Sequence, residues 1–260
     1  MTISVFELFS IGIGPSSSHT IGPLRAARQF IVDLEGTLPA IHQVKVDLYG
    51  SLALTGLGHA TDIALMAGLE GEIPAQIDPD KLYARINVIK ETKRLSLLKT
   101  KEIDFDPTKD IVFHKTKQLP YHPNGMRFTA YDGLGQELSQ RVFYSIGGGF
   151  IIDHELASQD EKVIQNTHKL PYPFQTANEM LEQYRKNGFS LQQLIMENEK
   201  SWRSEEEIHR GILEIWYSME KCIKRGCEQE GVLPGGLNVR RRAKKIKDQL
   251  LKEKSMNRSH

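Results

Sequence analysis

Gly12-Ile13-Gly14-Pro15-Ser16-Ser17-Ser18-His19-Thr20 is the stretch on which the reading of this chain turns. Two glycines, a proline, four hydroxyls and an imidazole crowd together just before a helical pattern. Such a segment builds little core. It suits the wrapping of a small anion, because glycine lets the backbone approach closely and hydroxyls and amide N–H groups donate hydrogen bonds. The following helix adds the partial positive charge of its N-terminus. A small carboxylate or phosphate is therefore expected here. The plain alternative is a Ser-rich N-cap loop.

Working outward, Ile21, Leu24, Ala27, Ile31 and Leu34 recur at helical spacing. Pro23 is tolerated only in a first turn, which predicts a helix start near Thr20 or Ile21 and a stop at Gly36. Val44, Val46 and Leu48 alternate with polar residues as in a half-buried strand, which Gly50-Ser51 breaks. A short helix is predicted over 63–69, with Thr61 or Asp62 as its cap. Leu82 to Leu98 reads as one helix. Short strands follow at 103–105, 111–113, 126–130 and 141–144, separated by turn residues such as Asn124-Gly125 and Asp132-Gly133. Upstream of all this, Phe6, Leu8, Phe9 and Ile11 form an apolar lead-in, a short helix or strand.

Beyond Pro171-Tyr172-Pro173 the pattern turns helical. Asn187-Gly188 ends one helix, Ser190 caps another, and Ser204-Glu205-Glu206-Glu207 is a capping box for a long one. Ile208, Ile212, Ile215, Met219 and Ile223 share one face of that helix. Gly231 and Pro234-Gly235-Gly236 end it, and a basic helical run covers 240–254. The fold class is α+β: an α+β domain over 1–155, a linker over 156–174 and a helical region over 175–260.

With 260 residues, 39% hydrophobic and 26% charged, the composition is that of a globular protein. The net charge of +1 creates no global pull toward nucleic acid or anionic membrane. No apolar run approaches the roughly 20 residues that span a bilayer. The N-terminus has no secretory pattern and there are two cysteines, so a cytoplasmic location is expected. Cys222 and Cys227 lie five apart on a helix, a rotation of about 140° that separates the thiols and favours buried, apolar cysteines over a shared metal.

Three further segments invite chemistry. His59, between Gly58 and Thr61-Asp62, precedes a helix and suits a second anion contact. Tyr144-Ser145-Ile146-Gly147-Gly148-Gly149 is either a flexible turn or a backbone nest for a ligand. Arg240-Arg241-Arg242 with Lys244, Lys245 and Lys247 lacks aromatics for base stacking, so a solvated face is favoured over nucleic acid. A serine hydrolase is disfavoured, since neighbouring Ser and His are no dyad and no nucleophile elbow is present. Asn124-Gly125-Met126 is most simply a turn.

Taken together, residues 11–20, Tyr49-Gly50-Ser51-Leu52-Ala53-Leu54-Thr55-Gly56, Gly58-His59-Ala60-Thr61-Asp62, Asn124-Gly125-Met126, 144–149 and Glu230-Gly231-Val232-Leu233-Pro234-Gly235 resemble the bacterial iron–sulfur L-serine dehydratases, or L-serine ammonia-lyases. The resemblance implies a β domain similar to the allosteric substrate-binding domain of some phosphoglycerate dehydrogenases, followed by a helical α domain. It implies β-elimination of water from L-serine to give pyruvate and ammonia without pyridoxal phosphate. A 4Fe-4S cluster on three cysteines would act as Lewis acid on the hydroxyl. Ser16, Ser17, Ser18, His19 and Thr20 would bind the substrate carboxylate, His59 would add a polar contact, and Ser145, Gly147 and Gly148 would close the pocket. The resemblance leaves the proton-abstracting base unplaced.

The family's cysteine-bearing core follows the basic segment, and Cys222 and Cys227 do not match its ligand positions. The expectation is therefore a β domain with the first helices of an α domain, inactive alone, without a cluster of its own, and working with a cluster-bearing α domain. Ile212, Ile215, Trp216 and Met219 are expected to lack their packing partners. A homo-oligomer is expected, with no nucleic-acid or membrane partner. A regulatory module that binds serine or a small hydroxy acid without catalysis is the alternative.

Overall fold

A computed structural model describes residues 4–158, 170–233 and 238–256. Its first elements are α1 (Val5–Leu8), a π-helical turn (Ser17–Ile21), α2 (Gly22–Asp33), β1 (Gln43–Tyr49), α3 (Gly50–Thr55) and α4 (Thr61–Leu69). Then come α5 (Pro79–Thr92), β2 (Arg94–Leu97), β3 (Lys101–Asp104), α6 (Pro107–Asp110), β4 (Ile111–His114) and β5 (Gly125–Tyr131). β6 (Glu137–Gly147), β7 (Phe150–Asp153) and α7 (His154–Ser158) follow, and the chain continues in α8 (Ala177–Asn187), α9 (Leu191–Glu199), α10 (Glu205–Gly226) and α11 (Ala243–Met256). The fold is α+β. One unit holds the described residues of 10–158; the other joins 4–9 to those beyond 170.

In the sheet unit the strand order is β4-β1-β5-β6-β7, with β1 parallel to β4 and every other pair antiparallel. Val44, Val46 and Leu48 of β1 point to one face with Met126, Phe128 and Ala130 of β5, the period of two expected of a strand. α2 covers that face with Leu24, Ala27, Phe30 and Ile31, and Phe30 stacks on Phe128 at 5.4 Å between ring centroids. Burying each large side chain stabilises the unit by about 1.5–3 kcal/mol. In α4 every residue but Asp62 is buried, as a helix apolar on all sides must be. Gly68 allows α4 to meet α2 closely: a Cβ there would lie 2.3 Å from the Leu24 carbonyl oxygen.

Several expectations change. Residues 82–98 are not one helix: Lys93 takes φ 56° and ends α5, and the buried alternation of Leu95 and Leu97 puts them in β2. Neither Thr61 nor Asp62 caps α4; that position is Ala60, in the left-handed region with no side-chain cap bond. Asn124-Gly125 is not a free turn, because β5 begins at Gly125 and pairs with Tyr144. Cys222 is exposed, not buried, and Cys227 is half-buried; both are free thiols. The linker and Pro234-Gly235-Gly236 lie partly or wholly outside the described residues.

The helical unit is organised around a buried carboxylate. Glu199 accepts from Ser4 Oγ at 2.9 Å and from the Val5 amide at 2.7 Å, and pairs with Arg203 at 3.2 Å. The Arg203 guanidinium lies over the Phe6 ring, and that ring occupies the space where a side chain at Gly211 would project. The apolar lead-in is thus a short helix packed on α9 and α10. Ser190 and Ser204 cap those two helices as expected, and Ser190 too forms a capping box, with Gln193. No single helix among the described residues is long and apolar enough to cross a membrane.

Candidate functional site

Pro23 explains the local shape of the serine segment. It has no N–H for the carbonyl four residues back, at His19, and its ring crowds that carbonyl. The chain widens into a π turn, with Ile21 and Gly22 amides donating to the Ser16 and Ser17 carbonyls five residues back. Ser16 Oγ caps the turn by accepting from the His19 amide at 3.2 Å. Thr61 Oγ1 donates to the His19 carbonyl at 2.5 Å, and Thr20 Oγ1 donates to the His59 carbonyl at 2.8 Å. Two threonines therefore lock the backbones of the two histidines together.

That lock brings the imidazoles into contact, with ring centroids 4.8 Å apart. His19 is bonded at both nitrogens, Nδ1 to Ser18 Oγ at 2.9 Å and Nε2 to Ser51 Oγ at 3.0 Å. Burial, then the neighbouring His59, hold the His19 pKa below the usual histidine value, outweighing the bond to Ser51. His19 is thereby kept neutral at pH 7. His59 Nδ1 lies 2.9 Å from the Thr55 carbonyl. A carbonyl only accepts, so Nδ1 carries the proton and the lone pair of neutral His59 sits on Nε2.

Ser51 is held from the opposite side. Its amide donates to the Pro123 carbonyl, and the Gly50 amide donates to Lys117, at 2.9 Å each. Gly50 takes φ 53°, and a Cβ there would stand 2.3 Å from the Pro123 oxygen, so only glycine allows this approach. Asn124 ties the adjacent strand: its carbonyl accepts from the Ser145 amide and its Nδ2 donates to the Ser145 carbonyl, both at 3.0 Å.

The site residues expected from sequence divide accordingly. Ser16, Ser18, His19 and His59 gather with Ser51 in one half-buried cluster, and Ser17 is exposed at the start of the turn. Thr20 is buried, its hydroxyl used within the protein. Ser145 is also buried; its Oγ faces Gly22 and has no hydrogen-bond partner among the described residues. Gly147 precedes a tight hairpin turn at Gly148-Gly149, whose positive φ values of 58° and 81° suit that turn. Sequence reasoning passed over Ser51 as a strand stop, Thr61 as a cap and Asn124 as a turn. Each lies in a segment that carries the resemblance, but no local pattern marks its role, because each acts across the fold.

Fold and site are those of an α+β unit that presents hydroxyls and one imidazole from the start of α2 and pairs that ring with a second imidazole from the turn before α4. The family model described as serine dehydratase beta chain matches residues 4–156, and that of the serine dehydratase alpha chain matches residues 186–259. L-serine dehydratase of Streptomyces coelicolor is 49% identical over 245 residues, 94% of this chain and 54% of the relative. L-serine dehydratase 1 of Escherichia coli is 43% identical over 96% of this chain and 54% of its own length. L-serine dehydratase of Helicobacter pylori is 33% identical over 96% and 54%. The chain belongs to the serine dehydratase family, and it spans about half the length of the curated relatives it matches.

Proposed function

We propose that this chain serves the L-serine ammonia-lyase reaction, L-serine to pyruvate and ammonia, by supplying the substrate-carboxylate site and the proton acceptor. The observation that carries this reading is the His19–His59 contact at the head of the π turn. The opening of a helix favours an anion, so the substrate carboxylate sits against Ser17 and Ser18. Neutral His19, fixed by Ser18 and Ser51, orients it. His59 Nε2 takes the Cα proton, the electron pair forms the Cα–Cβ double bond, and the hydroxyl leaves Cβ and is protonated to water, the balance closing when His59 gives up the proton it took. The aminoacrylate tautomerises to an imine, which water hydrolyses to pyruvate and ammonia.

The family resemblance implies a 4Fe-4S cluster, and the described residues do not fit one. Cys222 and Cys227 lie five apart at the end of α10, and no group of three His, Cys, Asp or Glu side chains is gathered for a metal among the described residues. No step is assigned through a cluster held by these residues.

Titration calorimetry with L-serine, D-serine and citrate tests the reading. Saturable binding of L-serine is expected, weakened at least tenfold by His19→Ala, about 1.4 kcal/mol. His59→Ala is expected to leave some binding and to abolish turnover wherever turnover is reconstituted. Absence of L-serine binding, or binding indifferent to His19, would overturn it.

A further inference from the structure

We propose that Arg25 and Ser10 are positioning residues that hold the serine segment at both of its ends through the glycine turn. The proposal rests on the reading of that segment as the substrate site. Ser10 Oγ donates to the Gly148 carbonyl at 2.6 Å, and Arg25 Nη1 donates to the Gly149 carbonyl at 2.7 Å. Two consecutive carbonyls of one hairpin turn thus receive the residue that enters the serine segment and a residue on the helix that leaves it. The turn also lies against the π turn itself. A Cβ on Gly149 would stand 2.8 Å from Ile21 Cγ2 and 3.4 Å from Arg25 Nη1.

Arg25, like Arg28 on the same helix, donates to a backbone carbonyl and differs from the ion-paired arginines of this chain. Arg85, Arg94, Arg127, Arg141 and Arg203 each pair with a carboxylate. Arg25 has none within 4.0 Å among the described residues, and burial alone pulls its pKa down. A half-buried cation without a counter-charge is a poor stabilising device. It gains its use from placement: a single N–H donated to the Gly149 carbonyl from the helix that leaves the segment, and a positive charge beside a turn that receives an anion. Closing the segment at both ends removes its freedom before the substrate arrives, so less ordering is charged against binding.

Hydrogen exchange read by NMR on the Ile21, Gly22 and Phe150 amides tests this. The first two close the π turn, and Phe150 pairs with Gly147 across the hairpin. Arg25→Ala is expected to speed exchange at all three roughly tenfold, with the β1 and β5 amides unchanged. Arg25→Lys restores protection, since an ammonium reaches the same carbonyl. Ser10→Ala gives a smaller change of the same sign, and reads the same amides if Arg25→Ala does not fold. The L-serine Kd should rise about tenfold in Arg25→Ala and return toward wild type in Arg25→Lys. Unchanged exchange in both alanine variants, or no rescue by lysine, overturns the proposal. If wild type binds no L-serine, the substrate-site reading fails, while the exchange pattern still decides the clamp.

Discussion

The two units use the same local signals and reach different ends. In the sheet unit Phe30, Leu65, Met66 and Phe128 are fully buried. In the helical unit, along the predicted apolar face of α10, Ile208 is buried, but Ile212, Met219 and Ile223 stay 39–58% exposed, as does the neighbouring Trp216. α10 is a well-specified helix all the same. It has a capping box at Ser204, three glutamates in its first turn, Lys224 and Arg225 in its last, and a Glu220–Lys224 pair. Local chemistry is enough to make a helix. A core needs an opposing surface, which α2, α4 and the sheet provide for one another.

The sharpest test sets one substitution in each unit side by side. Phe128→Ala should destabilise the sheet unit by about 3–5 kcal/mol, whereas Trp216→Ala should change denaturant stability by less than about 0.5 kcal/mol. Equal effects, measured by urea unfolding, would erase the contrast. Next in size is Gly68→Ala, which drives a methyl into the Leu24 carbonyl and should cost about 1–3 kcal/mol by separating α2 from α4. Glu199→Ala leaves Ser4, the Val5 amide and Arg203 without their acceptor. It should cost the helical unit about 1–3 kcal/mol and speed amide exchange in α1 and α9 while β1 stays protected.

The smallest effect is one of pH. Lys93, then Thr108, hold Asp106 at about 2, below its ordinary 3.8. A depressed carboxylate contributes stability that is present above the unfolded value and lost as pH falls through the folded one. Melting followed from pH 5 to pH 2 should therefore decline less steeply in Asp106→Asn. Identical slopes would show that this ion pair adds nothing to the sheet unit.

The fold was largely legible where one period ran unbroken. The alternation in β1, the Ser190 cap of α9, the capping box of α10 and the Asn187-Gly188 stop all lie where the sequence places them. It was not legible at residues 82–98, where apolar residues fit a helical and a strand period alike and a left-handed Lys93 divides them. The triple glycine read as a turn or a nest, and it forms a hairpin whose two carbonyls are both taken.

From its own order of residues the chain determined that Ser16 would cap a turn, that Pro23 would distort it, and that glycines would allow close approach at 50 and 149. Those are consequences of steric limits and missing donors within a few residues. The tertiary structure alone decided that His19 would meet His59, that Ser51 would face the first ring, and that Thr20 would be used up inside the protein. Those choices depend on which distant carbonyl lies within hydrogen-bond reach, and no local pattern records that distance.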